Sequence, residues 1–136
     1  MAGDRLVHFL RHGQYAPDAT TGGPLTKVGK RQARRTAKRL CEYTTTCVYC
    51  SDLQRAKETA EIIARQLKVS VEMLPMLREI IPTRIPGRRV SLADRRNGRA
   101  KIDEAIARFL TRAPKSEDLI VVCHGNFIRA LVCRIL

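Results

Sequence analysis

The sequence predicts an α/β domain of three layers, α/β/α, built around a mostly parallel sheet. Three observations carry this. A chain of 136 residues with 44% hydrophobic content is the size of one domain with a real core. Short apolar runs of strand length alternate with stretches of helical periodicity, in the order β-α-β-α-β-loop-α-β-α. No repeat or low-complexity linker divides the chain, so residues 1–136 read as a single domain.

Each element follows from its residues. Leu6 to Leu10 is a short apolar run of strand type. Gln14 to Pro24, rich in Pro, Gly and Thr, reads as a surface loop. Thr26 is a candidate N-cap, and Ala33, Ala37, Leu40 and Cys41 recur at helical spacing through a heavily basic helix. Thr46 to Cys50 is a second strand. From Asp52 an amphipathic helix begins, with Leu53, Ala56, Ala60, Ile63, Ala64 and Leu67 on one face. Val69 to Leu74 alternates as a third strand ended by Pro75. Arg78 to Arg99 holds Pro82, Pro86, Gly87 and Gly98 among many arginines and reads as a long basic excursion. Periodicity returns with Ile102, Ala105, Ile106, Phe109 and Leu110. Leu119 to Cys123 is a buried strand by composition, and Phe127 to Leu136 a final apolar helix.

Composition excludes several classes. With 26 Lys+Arg against 13 Asp+Glu the formal charge is +13, which predicts attraction to phosphorylated or otherwise acidic partners and non-specific, salt-sensitive polyanion binding. Trp is absent and aromatics make up 4%, so stacking platforms for single-stranded nucleic acid are not expected. Five cysteines without even spacing argue against a secreted disulfide scaffold. Cys47 and Cys50 form a C-x-x-C inside a strand, where residues three apart face opposite sides, so buried thiols are expected there and no metal site. No apolar run is long enough to span a membrane, and the first one meets Arg11 and His12 at once, unlike a signal peptide. The expectation is a soluble protein of a reducing, cytoplasmic compartment.

In parallel α/β sheets ligands bind at the carboxyl ends of the strands. Strand one delivers Arg11-His12-Gly13 there. Strand two delivers Ser51, with Arg55 one turn into its helix, and the strand before the last helix delivers His124-Gly125-Asn126. Two imidazoles and two guanidiniums at one edge form an anion site, with phosphate the natural occupant and helix N-termini supplying further donors. A neutral histidine nitrogen can carry a phosphoryl group covalently while the other cations neutralise its oxygens. A carboxyl group must then protonate the leaving oxygen and activate water. Glu79, just after the third strand, is best placed; Glu58, Glu61 and Glu72 are the alternatives. His8, inside its strand, reads as a core or surface residue, and Ser51 as a helix cap.

These residues resemble a known family. Leu10-Arg11-His12-Gly13 is similar to the Arg-His-Gly signature of the histidine phosphatase superfamily, with its phosphoglycerate-mutase-like fold. Leu25-Thr26-x-x-Gly29-x-x-Gln32-Ala33, Ser51-Asp52-Leu53-x-Arg55-Ala56-x-x-Thr59-Ala60, Leu77-x-Glu79 and His124-Gly125-Asn126-x-Ile128-Arg129 resemble its further motifs, in order. Gln14-Tyr15 and the run Asn126 to Arg134 look most like the mitochondrial phosphoglycerate-mutase-like serine/threonine protein phosphatases. The resemblance implies a metal-independent phosphatase without cofactor. It makes His12 the nucleophile, Arg11 and Arg55 the phosphoryl clamp with Gly125, His124 a stabiliser, and Glu79 acid and base. The implied substrate is a phosphorylated protein or a small phosphomonoester.

Departures also shape the expectations. Members of that group carry an N-terminal membrane segment, which has no counterpart here, so mitochondrial association rests on resemblance alone. Ile80 replaces a glycine common after the acid motif. The final strand of the family fold is lacking after Leu136, which leaves a sheet edge open for oligomerisation. Alternatives are phosphoglycerate-mutase-type transfer and a non-catalytic phosphate- or polyanion-binding module. The 45-residue step from Glu79 to His124 is short for a mutase and leaves the site open to water. The basic stretch Arg84 to Lys101 is either a solvated surface or a region that draws in phosphorylated substrate.

Overall fold

The computed structural model describes residues 4–81, 86–111 and 117–136. Among these, four strands form one sheet: β1 (Val7–Arg11), β2 (Cys47–Cys50), β3 (Ser70–Met73) and β4 (Leu119–Cys123). Their order is β1-β4-β2-β3, and every pairing is parallel. The helices are α1 (Lys27–Leu40), α2 (Gln54–Leu67), α3 (Leu92–Ala105) and α4 (Gly125–Ile135). The outer strands are β1 and β3.

The three expected layers are present, because β4 sends alternate side chains to opposite faces. Ile120 and Val122 join Ala37, Leu40, Ala56, Ala60 and Ile63 under α1 and α2. Leu119, Val121 and Cys123 join Ile102, Phe109, Phe127 and Leu131 under α3 and α4. All five β4 residues are buried, as a continuous apolar run in a central parallel strand must be. Cys47 and Cys50 point to opposite sides as expected, but only Cys50 is buried; Cys47 is half-buried. Cys50 lies in the α1/α2 core, where burial pushes its thiol up to about 12.

Two readings need correction. The stretch Arg78 to Arg99 is not one irregular excursion: its second half forms most of α3, capped by the Ser91 hydroxyl, which accepts from Asp94 N at 3.0 Å. Gly98, one of the residues behind the irregular reading, is buried within the helix, where its open side faces Ile80. Pro82 and Arg84 lie outside the described residues. After Ala105 the chain continues as a π-helical turn, Ile106–Thr111. The second correction is local: α2 starts at Gln54, and its N-cap position is Leu53 rather than Ser51.

Thr26 does cap α1, accepting from Gly29 N at 3.1 Å. Here the chain after β1 crosses the first turn of α1 backbone to backbone. A Cβ on Gly13 would sit 2.6 Å from Gly29 O, and one on Gly29 would sit 2.0 Å from Gln14 O. Both contacts are with backbone, so nothing nearby can yield cheaply. Gly29→Ala is therefore expected to lower stability by about 1–3 kcal/mol. Gly98→Ala, whose new methyl would lie 3.7 Å from Ile80, is expected to raise it by about 0.5–1 kcal/mol. Urea unfolding of both variants, compared at unchanged m, checks the opposite signs.

Candidate active site

The sheet order brings the site together. Because β4 lies between β1 and β2, the residues that follow these three strands are neighbours. His12 N donates to Cys123 O at 3.1 Å and Ser51 N to Val122 O at 3.0 Å, so the pairing continues one residue past each strand. His12 and His124 thus meet with ring centroids 5.2 Å apart, although 112 residues separate them in sequence. His8 stays in mid-strand, its ring tilted against Tyr43 with centroids 4.4 Å apart, and away from this edge.

His12 is held from both ring nitrogens. Nδ1 lies 2.8 Å from Gly13 O, an acceptor, so Nδ1 carries the proton. Arg55 Nε donates to Nε2 at 3.1 Å, which requires a lone pair on that nitrogen. The two contacts fix one neutral tautomer, with the ring's free lone pair on Nε2. Burial lowers the pKa of His12; the Gly13 bond works in the opposite direction, and the Arg55 and Arg11 charges lower it further. Gly13 N in turn donates to Thr59 Oγ1, whose hydroxyl donates to Arg55 O one turn back. Thr59 therefore ties the loop carrying His12 to the helix carrying Arg55.

Arg55 is 9% exposed and held by several contacts. Besides His12, its Nη1 donates to Gly22 O, and its guanidinium lies over the Tyr15 ring at 4.5 Å. Tyr15 also meets His12 edge-on at 5.1 Å. Arg11 is exposed and lies over the start of α4: a Cβ built on Gly125 would be 3.5 Å from its Nε.

His124 is completely buried, and its Nε2 lies 2.8 Å from Ser51 Oγ. Ser51 Oγ accepts from Leu53 N at 3.3 Å and can give its own proton to Nε2; with Nε2 accepting, Nδ1 is the N–H of the ring. That Nδ1 is buried and has no partner among the described residues. Burial pushes the pKa of His124 down to about 3, with the Arg55, His12 and Arg11 charges adding to the effect. Next to it, burial pushes the Cys123 thiol up to about 12, which removes it as a competing nucleophile.

Glu79 reaches the same edge in an unanticipated way. Its carboxylate caps α4, accepting from Phe127 N at 3.0 Å, Asn126 N at 3.3 Å and its neighbour Ile80 N at 3.1 Å. These first-turn donors of α4, expected to serve phosphate, are taken up by Glu79, and that of Gly29 in α1 by Thr26. Arg78 beside it makes a two-pronged ion pair with Asp52 at 2.6 and 2.7 Å. The other carboxylates are committed elsewhere. Glu58 accepts from Leu25 N and Gln54, Glu61 pairs with Lys57, and Glu72 pairs with Arg108. Sequence reasoning missed Ser51 as the partner of His124, the contacts that Thr59 and Tyr15 make with the site, and the Asp52–Arg78 pair. Ser51, Asp52 and Thr59 all lie inside a motif whose spacing had been noted, which was the available signal.

The chain resembles known proteins. The model of the histidine phosphatase superfamily (branch 1) matches residues 7–100. The mitochondrial serine/threonine-protein phosphatase Pgam5 of Drosophila persimilis is 37% identical over 148 residues, covering 97% of this chain and 51% of the relative. The protein so named in Xenopus tropicalis is 34% identical over 146 residues, covering 97% and 52%. The chain thus spans about half the length of the curated relatives it matches. A phosphoglycerate mutase structure from Plasmodium falciparum is similar at a TM-score of 0.64 and 29% identity, covering 96% of this chain and 67% of that one. A putative alpha-ribazole-5'-P phosphatase of Escherichia coli reaches 0.74 at 20% identity, covering 97% and 79%, a likeness of fold. No helix among the described residues is long and apolar enough to cross a membrane.

The buried histidines make acid a specific stress. Above pH 6.5 the rings are neutral folded and unfolded, and their contribution to stability is fully present. Between 6.5 and about 3 the unfolded chain binds a proton that folded His124 refuses, so stability is lost as pH falls through that window. The slope for this one group is at most about 1.4 kcal/mol per pH unit. Denaturation midpoints from pH 7.5 to 4 are expected to fall for the native chain and to fall less steeply for His124→Asn.

Proposed function

Because the chain belongs to the histidine phosphatase superfamily, we propose that it is a metal-independent phosphatase that hydrolyses phosphomonoesters, phosphoproteins foremost, through a covalent phosphohistidine on His12. The observation that carries this reading is the fixed tautomer of His12: Nδ1–H on Gly13 O, Nε2 lone pair facing the site. An imidazole held this way needs no deprotonation before it attacks.

The steps follow from the contacts. An arriving phosphate takes over the Arg55 Nε donor and releases Nε2 of His12. Nε2 attacks phosphorus, an N–P bond forms, and the bond to the ester oxygen breaks. Arg11, Arg55 and the Nδ1–H of His124 neutralise the non-bridging oxygens, where charge gathers in the transition state. The buried Nδ1–H of His124 is suited to this because phosphate gives it the partner it lacks. In its protonated form the Glu79 carboxyl gives its proton to the leaving oxygen. It then takes one from water as that water attacks phosphorus, the N–P bond breaks, and inorganic phosphate leaves. Five free cysteines fit a reducing compartment for this chemistry.

Release of phosphate from p-nitrophenyl phosphate in the presence of chelator is expected for the native chain and lost in His12→Ala. A rapid quench is expected to trap a phosphoenzyme that acid destroys and base preserves. If phosphoglycerate isomerises faster than phosphate is released, the mutase alternative replaces this one. Glu79→Gln is expected to slow hydrolysis of an alkyl phosphate by about 10²–10⁴-fold. It should slow p-nitrophenyl phosphate less, because that phenolate leaves without a proton. Equal losses on both substrates would reduce Glu79 to its capping role.

A further inference from the structure

Beside the reacting edge, α3 and α4 enclose a groove of about 460 Å³ that the proposed chemistry does not use. It is lined next to the reacting edge by Ile80 and Asn126, two of the three residues whose N–H groups hold Glu79. The floor is apolar, with Ile102 and Ala130, and the rim carries Arg95, Arg99 and Arg129. All three arginines are exposed, and among the described residues none has a carboxylate partner. Arg134, further along, is already paired with Asp103 at 3.0 Å. Arg95 and Arg99 stand one turn apart on the same helix, where like charges repel unless an anion lies between them.

Building on the phosphatase reading, we propose that this groove docks an acidic segment of a phosphoprotein substrate, adjacent to its phosphorylated residue. The groove offers what such a segment needs: apolar floor for one or two aliphatic side chains and unpaired guanidiniums for carboxylates. Its lining contains no aromatic ring, so it lacks the stacking surface that single-stranded nucleic acid uses. Glu79 and α4 link the two regions, so a segment in the groove starts next to the proposed acid. The segment adds binding to the ground state and transition state alike, and its effect belongs in KM rather than kcat.

The test compares two phosphoserine peptides that differ only in flanks, one rich in Glu and Leu, the other in Gln and Ser. The native chain is expected to show a lower KM for the acidic peptide, a preference that shrinks with added salt. In Arg95→Gln/Arg99→Gln/Arg129→Gln, KM for the acidic peptide is expected to rise about tenfold, with kcat unchanged. Hydrolysis of the neutral peptide and of p-nitrophenyl phosphate should stay at native rates, which also shows that the variant folds. Equal KM values for the two peptides in the native chain, or equal losses on both in the triple variant, would overturn the proposal. Fluorescence anisotropy of the acidic peptide on His12→Ala reads docking without turnover, so failure of the phosphatase reading remains distinguishable. Displacement of that peptide by DNA at physiological salt, lost in the triple variant, would assign the groove to nucleic acid instead.

Discussion

A strand from the end of the chain, inserted between two strands from its beginning, is the constraint on which the site depends. β4 enters parallel to both β1 and β2, and each register carries on past the strand end, through His12 N to Cys123 O and Ser51 N to Val122 O. That insertion buries β4 completely and divides its side chains between two cores. It also places the terminal residues of three strands side by side. A slip of one residue would send Val121 and Val122 to the wrong layers and move His124 away from Ser51 and His12. Core packing and site geometry are thus enforced by the same hydrogen-bond ladder.

Burial then gives the two histidines their chemistry. Both are pressed toward the neutral form in a field set by Arg11 and Arg55, which suits a nucleophile and a donor. Arg55 already donates to Nε2 of His12 and to the carbonyl of Gly22. The guanidinium is thereby held in place, stacked on Tyr15, before any anion arrives. On the proposed reading, binding of phosphate is an exchange of acceptors at this fixed donor, and the exchange frees Nε2 of His12.

Much of this was legible in the sequence, for identifiable reasons. Strands and helices with strong periodicity, such as Leu119 to Cys123 or the Ala56–Ala60–Ile63 face, declared themselves because one face of each is buried. The strand-end rule then sufficed to bring His12, Arg55 and His124 together. Where the reading failed, the deciding contact was distant in sequence or contrary to local propensity. Residues 92–99 are helical although Asn97 and Gly98 disfavour it, because Ser91 caps the start and Gly98 packs on Ile80. Ser51 looked like a cap because its partner, His124, lies 73 residues away. Nothing local announces that Glu79 will cap a helix beginning 46 residues later.

That cap alters what α4 can contribute. A helix N-terminus at a phosphate site would ordinarily offer its free N–H groups to the anion. Here two of them, on Asn126 and Phe127, are satisfied by a carboxylate from another segment. An anion at this edge therefore meets side chains in place of that helix end: the guanidiniums of Arg11 and Arg55 and the imidazoles of His12 and His124. The same cap fixes the entry of α4, because one carboxylate from the segment after β3 holds the backbone N–H groups of Asn126 and Phe127 in place.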